Sequence, residues 1–114
     1  MEYKELETKV IAWSVDRMII QRSTLVAQAK KLVEEAEEVL EAILDGDLEH
    51  AKMELGDNGV VAINMAEMLH TTTAACIELA YNKIKDRKGM MNKEGMYVKY
   101  ADLPDDLKAL LDEV

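Results

Sequence analysis

The chain has 114 residues, 49% of them hydrophobic and only 4% aromatic, with no Phe, eight Met, five Gly and one Pro. That composition excludes a disordered tail, leaves little turn material for an all-β fold, and suits packed helices whose gaps are filled by flexible Met side chains. The net charge of −9 argues against a nucleic-acid partner, because displacing backbone counterions takes clustered Lys and Arg.

The first helix is expected over about residues 2 to 20, where Leu6, Val10, Trp13, Arg17 and Ile20 recur at steps of three and four. Trp13, the sole Trp, reads either as a core residue or as a platform for a base. Ser23 or Thr24 can cap a second helix that runs to about Asp45, with Leu25, Ala29, Leu32, Ala36, Val39 and Ile43 as its apolar stripe. Gly46 then suits a left-handed C-terminal position and Asp47 the next N-cap.

A third helix follows from about Leu48 to Leu69, with Ala51, Leu55, Ala62, Ala66 and Leu69 on one side. Gly56 and Gly59 inside it each cost about 1 kcal/mol relative to Ala, which suggests either close approach of a helix or ligand or a simple packing reason. Thr71, Thr72 and Thr73 form a break and a cap, and a fourth helix carries Ala75, Ile77, Leu79, Ala80 and Ile84 toward Lys88. Beyond Gly89 the character is mixed: Tyr97, Val98 and Tyr100 suit a short extended piece, and Pro104 can start one or two helical turns between Leu103 and Val114. The expectation is one all-α, four-helix-bundle-like domain over 1–114, with a helical core to about 88 and an extension over 89–114.

Cys76 is the only cysteine, so no intrachain disulfide can form and a reducing cytoplasm is expected. No leader pattern opens the chain, and no apolar run approaches the roughly 20 residues that span a bilayer. No membrane partner is expected.

The chemistry lies in two acidic clusters. In KLVEEAEEVLEA, Glu34, Glu35 and Glu38 stand beside the apolar stripe of the second helix; in MELGD, Glu54 and Asp57 do the same on the third. A three-residue step leaves two helical side chains about 60° apart on one face, so each of the pairs Glu35–Glu38 and Glu54–Asp57 can address one point. The short loop at Gly46 makes the helices an antiparallel hairpin, and counting outward from it puts the two pairs at similar height. Converging carboxylates repel unless a cation or protons intervene. An all-oxygen set without zinc-like Cys or His spacing suits Mg²⁺ or Mn²⁺, and Mg²⁺ commonly completes its shell with substrate phosphates. A polyphosphate substrate follows. The bland alternative is that Glu pairs simply decorate a solvated helix face.

Taken together, Gln28-x-x-Lys31-Leu32-x-Glu34-Glu35-x-x-Glu38 and Glu54-Leu55-Gly56-Asp57 resemble the EExxE…ExxD signature of the MazG-like all-α nucleoside triphosphate pyrophosphohydrolases. AWSVDR upstream, and AYNKIKDRKG and MYVKYADL downstream, extend the similarity toward small phage and bacterial members. The resemblance implies hydrolysis of a nucleoside triphosphate to monophosphate and pyrophosphate, with Glu35, Glu38, Glu54 and Asp57 as magnesium ligands. It also implies a homodimer or homotetramer with its site near a subunit interface, in the host cytoplasm if the chain is phage-encoded. Glu34 or Glu38 would align or deprotonate the attacking water.

Lys83 and Arg87, four apart on the fourth helix, match the family's phosphate-binding basic residues, with Asn82 beside them; Lys85 and Lys88 read equally well as charges favoured by the helix dipole. Lys31, one turn before Glu35, can be a counter-ion or a phosphate contact. Asn58 departs from the family, which carries large apolar residues here, and can read a base or ribose or face a helix interface. His50 and His70 are expected in solvent without partners, Cys76 as a buried thiol, and the Met residues in the core. Two other functions fit the pattern: a pyrophosphatase narrowed to dUTP or dCTP, and a helical assembly or regulatory module without turnover.

Overall fold

The structure is a computed structural model and describes residues 1–113; Val114, at the end of the last expected helical stretch, lies outside them. Contacts divide the chain into two compact units, Met1–Cys76 and Ile77–Val114. The all-α expectation holds, with six helices and one small hairpin among the described residues.

The first unit contains α1 (Tyr3–Asp16), the single turn α2 (Ile19–Arg22), α3 (Leu25–Leu44), α4 (Leu48–Met68) and the start of α5 (Thr73–Ile84). The expected first helix is thus two pieces, because Met18 takes a left-handed conformation at φ 63°, which a non-glycine residue adopts only at some cost. Thr24, not Ser23, caps α3, its hydroxyl accepting from the Ala27 amide at 3.1 Å. Gly46 turns the chain at φ 75°, and the Asp47 carboxylate caps α4 by accepting from the His50 amide at 3.1 Å. Thr72 caps α5 in the same way, accepting from Ala75. These caps satisfy amides that a helix start leaves without partners.

The hairpin of α3 and α4 centres on a small core of Ala42, Ala51, Val61, Ile63 and Ala66. α1 lies against α4 and is tied to it by a buried bond in which the Ser14 hydroxyl donates to Asn64 Oδ1 at 2.7 Å. Tyr3 and Thr73 share a hydroxyl–hydroxyl contact, and Thr73 also donates to Glu7 at 3.3 Å.

Much of the expected apolar stripe is not covered by this chain. Leu25, Ala29, Ala36 and Ile43 of α3 are exposed, as are Leu55 and Leu69. A single helix pair with one flanking helix forms too few layers to enclose both sides of each stripe. The Met residues are likewise not a core set: Met1, Met18, Met53, Met91 and Met96 are exposed. Gly56 and Gly59 face open space: apart from their own helix backbone, nothing described stands within 4 Å of where a Cβ would sit on either, so neither marks a close approach of another element within the chain.

The second unit holds the rest of α5, a hairpin of β1 (Gly89–Met91) and β2 (Tyr97–Lys99), a 3-10 turn at Tyr100–Asp102, and α6 (Asp105–Asp112). The extended piece expected at Tyr97 therefore has a strand partner, in the register Gly89 to Lys99 and Met91 to Tyr97. Gly89 has no room for a side chain, since a Cβ there would collide with the Val98 carbonyl and the Tyr97 ring. The Tyr97 hydroxyl donates to the Arg87 carbonyl at 3.2 Å, and the Tyr100 hydroxyl donates to the Asp112 carboxylate at 3.0 Å. Among the described residues no single helix is long and apolar enough to cross a membrane.

Candidate metal centre and adjoining cavity

Because α3 and α4 run back along each other from the Gly46 turn, residues at matched distances from that turn meet. Glu35 and Glu38 come from α3 and Glu54 from α4, and one carboxylate oxygen of each lies within 4.8 Å of the others. Glu35 and Glu54 are buried, at 6% and 8% exposure, while Glu38 is exposed. One oxygen on each buried side chain, Glu35 Oε2 and Glu54 Oε2, is sealed from solvent without a hydrogen-bond partner among the described residues. An unpaired buried carboxylate oxygen is costly, so the arrangement is incomplete as it stands. An all-oxygen set of this kind fits a hard divalent cation.

The electrostatics agree. The Glu54 carboxyl is pushed up to about 7 from an ordinary 4.5, first by a proton shared with Glu38, then by burial and by Glu35, against the opposing pull of His50. The Lys31 ammonium, 3.3 Å from Glu35 and 3.6 Å from Glu34, is held above its ordinary value chiefly by its hydrogen bond to Glu35 and then by the charge of Glu34. Lys31 is thus the counter-ion of Glu35.

The raised Glu54 carboxyl has a consequence for stability. Between the ordinary 4.5 and about 7 the folded chain holds a proton that the unfolded chain has lost, so stability must fall as pH rises through that window. Thermal melts in EDTA are expected to show a lower midpoint at pH 8 than at pH 5.5. Magnesium should raise the midpoint more at pH 8, where it need not displace the proton. Melts with equal midpoints and equal magnesium shifts at the two pH values would contradict this picture of the cluster.

Asp57, the fourth acid of the sequence pattern, stands outside the 4.8 Å group. It lies on the wall of a cavity of about 490 Å³, which Glu35 also lines, together with Trp13, Lys31, Val60 and Asn64. Glu38 and Glu54 open instead onto a smaller hollow of about 320 Å³ that they share with Glu41, Asp45 and His50. Glu34 is exposed and paired with Lys31, outside the trio.

His50 is not a partnerless solvent residue. Its Nε2 sits 3.2 Å from Glu54 Oε1, a contact that the i, i+4 spacing of His50 and Glu54 on one helix could have signalled. Trp13 is not a core residue either: it is 46% exposed, faces the cavity, and has the Arg17 guanidinium stacked 4.3 Å from its ring centre. Asn58 donates to the Leu32 carbonyl across the α3–α4 interface at 3.3 Å, in keeping with the interface alternative. Cys76 is exposed rather than buried, because α5 is uncovered beyond Thr73, with every residue from Ala74 to Ile84 exposed. Asn82, Lys83 and Arg87 belong to the second unit, and all three are exposed. Nothing in the sequence marks Ser14 or Asn64, since their pairing joins positions 50 residues apart.

The family model described as MazG nucleotide pyrophosphohydrolase domain matches residues 23–91 of this chain, more than half its length. No curated protein matches the chain. No solved structure matches it.

Proposed function

The chain belongs to the MazG nucleotide pyrophosphohydrolase family, and on that premise we propose that it hydrolyses a ribo- or deoxyribonucleoside triphosphate to the monophosphate and pyrophosphate with magnesium. In this reading Glu35, Glu38, Glu54 and Asp57 hold the cation, with manganese as a substitute. The observation that carries it is the trio of carboxylates from α3 and α4, two of them buried with unpartnered oxygens, beside a cavity large enough for a nucleoside.

When bound, the cation supplies charge neutralisation for the triphosphate and makes a water more acidic. The protein groups do the rest. Glu38, the exposed member of the trio, aligns the attacking water or accepts its proton; Glu34 is the alternative, one turn away and held by Lys31. Lys31 pairs with Glu35 and orients it. His50 fixes Glu54 from the other side. Lys83 and Arg87, with Asn82 beside them, bind phosphate oxygens of the substrate. Trp13 stacks on the base. The chain works in the cytoplasm as a homodimer or homotetramer, a reading favoured by the exposed Leu40, Ile43, Leu44, Leu48 and Leu55 on α3 and α4, since an apolar face of that kind calls for cover. Light scattering is expected to give two or four times the 12.9 kDa chain mass; a monomer at micromolar concentration would overturn the oligomer.

Thermal stabilisation separates this reading from a non-catalytic helical module. Magnesium together with a non-hydrolysable triphosphate analogue at a hundred times its Kd should stabilise the fold by about 2.7 kcal/mol, a shift of several degrees, and EDTA should abolish the shift. No shift from any analogue would favour the module.

A further inference from the structure

The 490 Å³ cavity is lined by the acids Glu35 and Asp57 and also by Trp13, Val60, Val61 and Asn64. Asn64 is an anomaly there. It is 3% exposed on a helix otherwise buried through Val61, Ile63 and Ala66, and a buried amide is destabilising unless its groups are hydrogen bonded. Its Oδ1 is satisfied by the hydroxyl of Ser14 at 2.7 Å, and Ser14 is itself fully buried. In that bond the hydroxyl donates and Asn64 Oδ1 accepts, which leaves the amide nitrogen turned away from Ser14. The amide nitrogen keeps two hydrogens. Among the described residues no protein group accepts them, yet this nitrogen is not sealed off as the Glu35 and Glu54 oxygens are.

Two other donors lining the cavity are engaged. Gln28 donates to the Ser23 hydroxyl at 2.9 Å, and Lys31 is held by Glu34 and Glu35. In a cavity that Trp13 also lines, Asn64 therefore presents a free donor to a bound base.

We propose that Asn64, its oxygen taken by Ser14, is a specificity-determining residue that donates to the oxo group at C4 of a pyrimidine or C6 of a purine. The site then favours uracil, thymine, guanine or hypoxanthine over cytosine and adenine. The inference rests on the nucleotide reading of the cavity. An exocyclic amino group at the same place would set donor against donor in a buried position, and discrimination of about tenfold or more is what one such mismatch produces. Ser14 is a positioning residue. Without its hydroxyl the amide is free to turn over and offer its oxygen instead.

The test compares nucleotides that differ only in oxo against amino: UTP with CTP and ITP with ATP for kcat/KM in magnesium, and the four corresponding monophosphates in EDTA, read by quenching of Trp13, the sole Trp. Wild type is expected to favour the oxo partner at least tenfold in both assays. Asn64→Asp still accepts from Ser14 but shows the cavity an acceptor, so the preference should reverse. Ser14→Ala should bind both partners with the ratio drawn toward one. Equal treatment of the partners by wild type, or variants that weaken all nucleotides alike while lowering the melting midpoint, would overturn the proposal. Oxo-selective quenching without turnover would uphold it and count against hydrolysis. Turnover without selectivity would do the reverse, and no quenching by any nucleotide would remove both.

Discussion

Glu38→Gln is expected to lower kcat/KM by about a thousandfold or more while leaving the helix content unchanged. A divalent cation contributes several kcal/mol of transition-state charge stabilisation, and each 1.36 kcal/mol is a factor of ten in rate. Glu38 is the exposed member of the carboxylate trio, and Gln has nearly its shape, so packing around it should not change. The same substitution removes the group that contributes most to raising the Glu54 carboxyl. The metal-free variant should therefore be at least as stable as wild type at pH 8 and gain less from magnesium. Loss of activity combined with unchanged or improved stability is a signature that a misfolded variant cannot give. Asp57→Asn should show a comparable loss of turnover, since an exposed carboxylate on the cavity wall has no folding role to lose. Retained turnover in either variant would remove that residue from the ligand set.

Trp13→Ala should raise KM by about 5- to 150-fold, the equivalent of the 1–3 kcal/mol that stacking one base on an aromatic ring contributes. The effect on kcat should be smaller, because the stacked base is as well held before the reaction as during it. Trp13 is 46% exposed, so truncation leaves no large cavity in the core and costs little stability. An unchanged KM with a marked fall in melting midpoint would return Trp13 to a packing role.

The parts of the molecule legible from sequence are those governed by local rules. Thr24, Gly46 and Asp47 declare the α3–α4 hairpin because caps and left-handed turns depend on side chains within a few residues. Given that hairpin, three-residue spacing on each helix is enough to bring Glu35, Glu38 and Glu54 together. The break at Met18 is not legible, since neither Gly nor Pro marks it. Nor is the strand partner of Tyr97, which depends on a pairing between Gly89 and Lys99 that hydrophobic period alone does not specify. The same holds for the apolar stripes. Their period announces helices, but it cannot say whether the surface covering Leu25 or Ile43 belongs to the same chain. Ser14 and Asn64 are invisible for a related reason: two unremarkable polar residues meet only through the register of α1 on α4. Within the site, spacing brings three of the four acids to one point. Asp57 has the spacing of a partner to Glu54, yet it lies on the cavity wall outside the trio.

The most direct test of the account is pyrophosphate release by the folded protein across a panel of ribo- and deoxyribonucleoside triphosphates, first with magnesium and then with excess EDTA. Release of pyrophosphate and monophosphate from one or a few of them, abolished by EDTA and restored by added magnesium, is the predicted result. Silence across the panel with magnesium present, or release that EDTA leaves intact, would contradict a metal-dependent hydrolase built on Glu35, Glu38, Glu54 and Asp57.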